Sequence, residues 1–191
     1  MDSGHQGEPC PWWLGYLLAH PLRRLFQDPA GLVAPYVEEG MVVLEPGCGM
    51  GFFTLELARR VGTSGKVVAV DLQPQMLAGL KRRANRARLL DRLDLRVALD
   101  DRLDVSDLSG RVGFALVFYV VHELANPAGF FVEVHDALSP DGVLLIVEPR
   151  VHGGGEPGLQ ASIDLAAQAG LIVRDRPTFK RNQVALFGKT S

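Results

Sequence analysis

Apolar runs of strand length alternate with helix-length segments from Met41 to the end of the chain. This alternation predicts parallel strands joined by crossover helices, and it restricts the fold more strongly than any other feature of the sequence. The fold class is therefore α/β, with helices on both faces of a mostly parallel sheet. Five strands are predicted in the parallel part: Met41–Leu44, Lys66–Val70, Leu93–Leu99, Phe114–Val121 and Val143–Val147.

Helices and a terminal hairpin complete the predicted domain. Two more strands, Leu171–Asp175 and Val184–Phe187, lie close enough in sequence to pair with each other. Glycine and proline predict a turn at 140–142 and a glycine-rich loop at 153–158, the latter a candidate lid. Apolar periodicity or an opening proline predicts helices that begin near Phe53, Pro74, Pro127 and Leu159.

The chain length of 191 residues suits one domain with a short extension, at a prior of roughly 150 residues per domain. We assign residues 41–191 to the domain and residues 1–40 to a helical N-terminal extension. The aromatic residues Trp12, Trp13 and Tyr16 lie in this extension. They could line a substrate pocket as a cap, or they could cover the open end of the sheet.

Charge and cysteine content exclude several classes of partner. Twenty Lys and Arg against 22 Asp and Glu leave a net charge of −2, so no global field favours nucleic acid or an anionic membrane. Two cysteines, Cys10 and Cys48, provide neither a disulfide framework nor the spacing of a structural zinc site. The apolar stretch Trp12–Ala19 is too short to span a membrane and has the reversed charge order of a signal peptide. We expect a cytoplasmic protein.

The first strand leads into the segment Glu45-Pro46-Gly47-Cys48-Gly49-Met50-Gly51. Alternate glycines allow a tight turn and close approach of a ligand, because no Cβ intervenes. Phe52 stands at the sixth position counted from Gly47, where the dinucleotide pattern requires its third glycine, and no Gly-Lys-Ser/Thr follows. Glu45 would repel a phosphate at the strand end, so a sulfonium or ammonium group is favoured there. We interpret Cys48 as a small filler rather than a nucleophile.

Asp71 ends the second strand, 20 residues past Gly51, where a carboxylate accepts hydrogen bonds from ribose hydroxyls. A ribose at Asp71 and a cation at Glu45, with no phosphate between them, describe S-adenosylmethionine better than NAD. The segments LEPGCGMGFF, VVAVDLQPQML and FALVFYVVHEL with LSPDGVLLIVEP occur in that order. Together they resemble the class I S-adenosylmethionine-dependent methyltransferases, over about Met41–Pro149.

The resemblance implies a Rossmann-like three-layer sandwich with a seven-stranded sheet and an antiparallel C-terminal strand. It implies that the three loop glycines wrap the methionine portion and that Asp71 holds the ribose. Leu99 and Asp100 or Asp101, after the third strand, would flank the adenine, and we favour Asp100. The predicted cofactor set comprises Glu45, Gly47, Cys48, Gly49, Gly51, Asp71, Leu72, Leu99, Asp100 and Asp101.

His122 and Glu123 follow the fourth strand, which faces the methyl-transfer site in this fold. His122 could act as a general base oriented by Glu123, or the pair could be ordinary strand-end packing. No aspartate stands there as in metal-dependent catechol-type relatives, so we predict no metal. A basic cluster, interpreted as a solvated helix surface, comprises Lys81, Arg82, Arg83, Arg86, Arg88 and Arg92.

The sequence thus predicts an enzyme that transfers a methyl group from S-adenosylmethionine to a small-molecule acceptor, without nucleic acid or membrane partners. A non-catalytic S-adenosylmethionine-binding protein with a regulatory or assembly role is the alternative, because no residue proves an acceptor base. An NAD-dependent oxidoreductase is a weaker alternative, disfavoured by Phe52. The acceptor and the oligomeric state are left open.

Overall fold

A computed structural model describes residues 28–99, 102–149, 155–180 and 182–190, without side chains for 155–157. The N-terminal aromatics Trp12, Trp13 and Tyr16 lie outside the described residues, and so do Asp100 and Asp101. Within the described part of the chain, no helix is both long and apolar enough to cross a membrane.

Seven strands and five helices alternate along the described chain. The helices are α1 Pro29–Val33, α2 Thr54–Arg60, α3 Pro74–Arg86, α4 Pro127–Ala137 and α5 Gly155–Gln168. The strands are β1 Val42–Pro46, β2 Lys66–Asp71, β3 Leu93–Val97, β4 Val112–Phe118, β5 Leu138–Pro149, β6 Leu171–Asp175 and β7 Asn182–Lys189.

The strands form one sheet in the order β3-β2-β1-β4-β5-β7-β6. Strands β1 to β5 pair in parallel, while β7 runs antiparallel to both β5 and β6. The predicted α/β class, the seven-stranded sheet and the antiparallel C-terminal strand are therefore confirmed. The strand order reverses direction between β1 and β4, which is where ligands bind in open α/β sheets.

Two apolar clusters fill the two faces of the sheet. Successive residues of a strand point to opposite faces, so Val43 packs in one cluster and Leu44 in the other. Both are fully buried, as expected of a sheet that is covered on both sides. Helix α1 adds Leu32 and Val33 to the first cluster. The described end of the N-terminal extension is thus part of the domain core.

Strand β4 ends three residues before the position predicted from its apolar run. Tyr119, next after the strand, has a positive φ of 61° and breaks the extended backbone. Residues Val121–Glu123 then form a short 3-10 helix instead of continuing the strand. Strand β3 is also shorter than predicted, because it ends at Val97 while Leu99 forms an isolated bridge with Arg102.

The predicted turn at 140–142 is instead an irregularity inside β5. Val112 pairs with Leu138 and Phe114 pairs with Val143, so extra residues of β5 bulge between these two pairs. The predicted loop at 153–158 is wrong in its second half, because α5 already begins at Gly155. Pro157 is compatible with this start, since the first helical turn does not need its missing N–H.

The basic cluster contains residues that hold the fold together. Arg83 donates a hydrogen bond to the carbonyl oxygen of Met50 in the glycine loop. Arg92 donates to the carbonyl oxygen of Ala58 at 3.1 Å. Lys81, Arg82, Arg86 and Arg88 are exposed along and just beyond α3.

Candidate functional site

The glycine loop lies where β1 ends and fixes the shape of the site. Gly47, Gly49 and Gly51 all have positive φ, at 67°, 53° and 79°. A Cβ on Gly47 would lie 2.3 Å from Val120, and one on Gly51 would lie 2.3 Å from Leu80. A Cβ on Gly49 would meet no atom within 4 Å. Packing therefore leaves no room for a side chain at Gly47 or, without a shift of Leu80, at Gly51, whereas Gly49 faces open space.

Cys48 lies inside the loop as a buried thiol. Burial raises the pKa of Cys48, and the nearby carboxylates of Glu45 and Asp71 raise it further. A thiol that resists ionisation is a poor nucleophile. The structure supports the interpretation of Cys48 as a filler.

Asp71 ties the end of β2 to the glycine loop. Its Oδ2 accepts the Gly49 amide at 2.8 Å, and its Oδ1 accepts the Gln73 amide at 2.9 Å. Burial raises the pKa of Asp71, while the same two amides lower it. Because each carboxylate oxygen has two acceptor sites, one lone pair on each oxygen is left for a further donor.

Glu45 is the most confined ionisable group of the site, with only 4% of the residue exposed. Its Oε2 has no hydrogen-bond partner among the described residues. Burial raises the pKa of Glu45 to about 8, Thr54 beside it lowers the value, and Asp71 raises it. A buried carboxyl with an unused oxygen gains most from a ligand cation.

An apolar surface is exposed next to this polar edge. Asp71 pairs with Val97 in the sheet, so Leu72, Val97 and Leu99 lie at the same end of β2 and β3. These side chains belong to residues that are 44%, 50% and 45% exposed. Exposed apolar side chains beside a carboxylate suit a flat, aromatic base attached to a ribose.

The 3-10 helix after β4 brings His122 against the end of β5. Nδ1 of His122 lies 2.7 Å from Oε2 of the buried Glu148. Oε1 of Glu148 accepts the Val121 amide at 3.1 Å. Burial raises the pKa of Glu148, while His122 lowers it. Glu123, predicted to orient His122, lies 3.8 Å from Nε2, beyond hydrogen-bond distance.

Aromatic side chains form the wall between the glycine loop and the C-terminal strands. Phe53 contacts Phe118 at a centroid distance of 4.4 Å, and Phe118 contacts Tyr119 at 4.2 Å. The Tyr119 hydroxyl donates to Oδ1 of Asn182 at 2.5 Å. These contacts hold Tyr119 in its positive-φ conformation, next to Val120 and the 3-10 helix.

Taken together, the side chains and backbone at this edge of the sheet have the chemistry that S-adenosylmethionine requires. Glu45 offers an unpaired oxygen to a cation, Gly49 leaves open space, and Asp71 keeps acceptor sites for hydroxyls. Four carboxyls, Glu45, Asp71, Glu123 and Glu148, all have raised pKa values, with burial as the first cause. A cationic ligand relieves the repulsion among such groups. In the part of the chain that is described, no cluster of three His, Cys, Asp or Glu side chains could hold a metal ion.

Glu148 and Val120 are the site residues that sequence reasoning missed. Glu148 ends the apolar run VLLIV, just as Glu45 ends the run VVL, and that likeness is the signal that could have found it. Val120 carries no such signal, because its contact with Gly47 depends on how the chain turns after β4.

A family model described as a methyltransferase domain matches residues 37–184. Catechol O-methyltransferase from Mycobacterium tuberculosis is 31% identical over 113 residues, which are 59% of this chain and 50% of that protein. A tRNA adenine N1-methyltransferase from Methanocaldococcus jannaschii is 30% identical over 71 residues, 37% of this chain and 25% of that protein. The chain thus matches half or less of the length of these relatives.

The crystal structure of an S-adenosylmethionine-dependent methyltransferase from Aquifex aeolicus superposes with a TM-score of 0.81 at 22% identity. The superposition covers 93% of this chain and 97% of that one. The shared fold agrees with the seven-stranded sheet order and with the glycine loop at its switch point. Since the family model covers most of the residues, the chain belongs to the S-adenosylmethionine-dependent methyltransferase family.

Proposed function

We propose that this protein transfers the methyl group of S-adenosylmethionine to a small-molecule acceptor. The observation that carries the proposal is the buried Glu45 carboxyl, whose unpaired Oε2 lies at the base of the glycine loop. We assign Glu45 to the cationic methionine portion, Gly49 to the close approach, and Asp71 to the ribose. Leu72 and Leu99 contribute the apolar contact for the adenine.

Bound S-adenosylmethionine supplies a methyl carbon with a good leaving group. The chain's own task is then mainly to align the acceptor with that carbon, a positioning effect that can contribute several kcal/mol. Tyr119 and the 3-10 helix with His122 form the side of the site that faces an acceptor. His122 is the candidate base.

The charge around the site supports a small acceptor over a nucleic acid. Asp71 and Glu123 are partly exposed carboxylates of this edge, and a phosphate backbone is repelled by such groups. The exposed basic residues of the cluster lie in the second half of α3 and just beyond it, from Lys81 to Arg88. Arg86 is twelve residues past Pro74, which corresponds to about 18 Å along the helix.

A methyl-transfer assay with two acceptor classes tests this proposal. Tritiated S-adenosylmethionine is incubated with a panel of phenols and catechols, suggested by the catechol O-methyltransferase relative, and separately with total tRNA. We expect label in the small-molecule fraction only. Label in tRNA would overturn the acceptor class, while cofactor binding without any transfer would favour the non-catalytic alternative.

A further inference from the structure

His122 is held on one side by a buried carboxylate and is open on the other. Its Nδ1 lies 2.7 Å from Oε2 of Glu148, which ends a different strand 26 residues away. The imidazole side chain is 26% exposed, whereas that of Glu148 is only 8% exposed. The contact therefore joins a partly accessible ring to a carboxylate that solvent scarcely reaches.

The hydrogen bonds of Glu148 decide which ring nitrogen carries the proton. Oε1 already accepts the Val121 amide, and an ionised carboxylate has no donor of its own. Nδ1 of a neutral imidazole must therefore be the protonated nitrogen. Among the described residues, Nε2 is then left with a free lone pair, 3.8 Å from the nearest Glu123 oxygen. This is the tautomer that can accept a proton from a ligand.

The ring lies beside the cofactor half of the site. Val120, two residues before His122, is the residue that a Cβ on Gly47 would strike. Glu123, next to His122, interacts electrostatically with both Asp71 and Glu148. Among the described residues, the charged groups around the imidazole are thus Glu148 from β5, Glu123 from its own segment, and Asp71 from β2 farther off.

We infer that Glu148 is a positioning residue that holds His122 as a proton acceptor, and that the methyl acceptor is a molecule whose hydroxyl must lose its proton. This inference rests on the proposed function. An oxygen lone pair of the acceptor forms the bond to the methyl carbon, and the electron pair of the breaking carbon–sulfur bond goes to sulfur. The hydroxyl proton moves to Nε2 of His122, so the positive charge passes from the sulfonium to the imidazolium, which Glu148 stabilises.

The tautomer of His122 can be observed without any turnover. Long-range 15N–1H NMR on protein saturated with S-adenosylhomocysteine, at a pH where the ring is neutral, should show Nδ1 protonated and Nε2 bare. In Glu148→Gln, the side-chain oxygen of the glutamine should still accept the Val121 amide. The glutamine NH2 group then faces Nδ1 of His122 and donates to it, so the proton of the neutral ring should move to Nε2. A protonated Nε2 in the unaltered protein would overturn the positioning role, whether or not the variant folds.

A second histidine–carboxylate pair provides the matched control. Nδ1 of His135 lies 3.0 Å from Asp136 at the far end of α4, beside Gly170. His135→Ala and Asp136→Asn should leave both the His122 tautomer and the turnover unchanged. Inversion of the His122 tautomer in Asp136→Asn would show that the signal is not specific to Glu148.

Turnover then tests the acceptor class, with catechol, whose hydroxyls stay protonated at neutral pH, as the hydroxyl probe and dimethyl sulfide as a probe that has no proton to lose. We expect methylation of the catechol only, and His122→Ala and Glu148→Gln should lower its kcat about 10²- to 10⁴-fold with little change in KM. S-adenosylhomocysteine affinity should be unchanged in both variants. Methylation of dimethyl sulfide but not the catechol, no methylation of either probe, or an unchanged kcat in His122→Ala would overturn the acceptor class.

The positioning role of Glu148 and the hydroxyl class of the acceptor can each fail separately from the proposed function. If the unaltered protein does not bind S-adenosylhomocysteine, the cofactor assignment fails, whereas the tautomer can still be read in the free protein. If it binds and the tautomer is the wrong one, only the positioning role of Glu148 is lost.

Discussion

Among the glycines of the site, Gly49 differs from Gly47 and Gly51 because the space where its Cβ would lie is empty. Gly47 and Gly51 have their Cβ positions filled by Val120 and Leu80, whereas that of Gly49 is empty. Glycine at 47 and 51 is thus explained by packing together with a positive φ. Glycine at 49 is explained by its positive φ, and the open space beside it is where we propose that the ligand approaches.

Gly49→Ala and Gly47→Ala should therefore fail in different ways. Each puts alanine at a positive φ, which costs about 1–2 kcal/mol, but Gly47→Ala adds an overlap with Val120 worth about 1–3 kcal/mol more. We expect Gly49→Ala to stay folded and to lose cofactor affinity. Urea unfolding and S-adenosylhomocysteine titration of both variants measure this, and equal stability losses would contradict the packing argument.

Asp71→Asn should weaken cofactor binding by roughly 10- to 150-fold, the equivalent of a charge-assisted hydrogen bond of about 1.5–3 kcal/mol. An amide has one acceptor oxygen, so either the Gly49 or the Gln73 amide also loses its partner. Asp94→Asn on β3, where the carboxylate pairs with Arg96, is the control. If both variants bind S-adenosylhomocysteine as the unaltered protein does, Asp71 does not hold the ribose.

Glu45 makes the ligand-free protein less stable as pH rises. Its pKa is raised from 4.5 to about 8, so the folded state binds a proton more tightly than the unfolded state. Stability should therefore fall across that range, by up to about 1.4 kcal/mol per pH unit. Glu45→Gln cannot titrate, so its stability relative to the unaltered protein should rise from the acid to the alkaline end. Parallel denaturation profiles of the two proteins would contradict the burial of an ionisable Glu45.

At the scale of elements, the sequence indicates where the strands end but not how the chain leaves them. The runs before Glu45, Asp71 and Glu148 are visible as apolar segments, and parallel strands bring their carboxyl ends to one edge. The left-handed turn at Tyr119 is not visible, because aromatic residues rarely adopt a positive φ. The turn depends on tertiary contacts, including the hydrogen bond to Asn182, and it is what carries His122 to Glu148.

The bulge in β5 has the local sequence of a turn for a related reason. Proline, aspartate and glycine at 140–142 favour a turn locally, but the flanking residues still pair with β4. Local propensity correctly predicts that residues 140–142 leave the regular strand backbone. Pairing with β4 decides whether β5 continues after them.

The bulge makes a steric demand that can be measured. A Cβ on Gly142 would lie 2.5 Å from the carbonyl oxygen of Val112, a backbone atom that cannot rotate away. Gly142→Ala should lower the free energy of unfolding by about 1–3 kcal/mol. Gly110→Ala, at a positive φ in open space, is the comparison and should cost only about 1–2 kcal/mol of backbone strain. A Gly142→Ala protein as stable as the unaltered one, by urea unfolding, would contradict the bulge.

At the scale of the whole molecule, the site depends on sheet order. Glu45, Asp71, His122 and Glu148 span more than half of the chain, and the order β2-β1-β4-β5 brings the strands that carry or precede them side by side. Alternating apolar segments predict a parallel sheet, and the resemblance implies its seven strands. Neither indicates which carboxylate of the edge faces His122, because that depends on the register of β4 against β5.

The central claim is that this edge of the sheet binds S-adenosylmethionine through Glu45, Gly49 and Asp71. Isothermal titration calorimetry of the protein with S-adenosylmethionine, S-adenosylhomocysteine and NAD tests it most directly. We expect one site for each of the two sulfur ligands, no binding of NAD, and affinity lost in Gly49→Ala and Asp71→Asn. Binding of NAD, or sulfur-ligand binding that both substitutions leave unchanged, would contradict it.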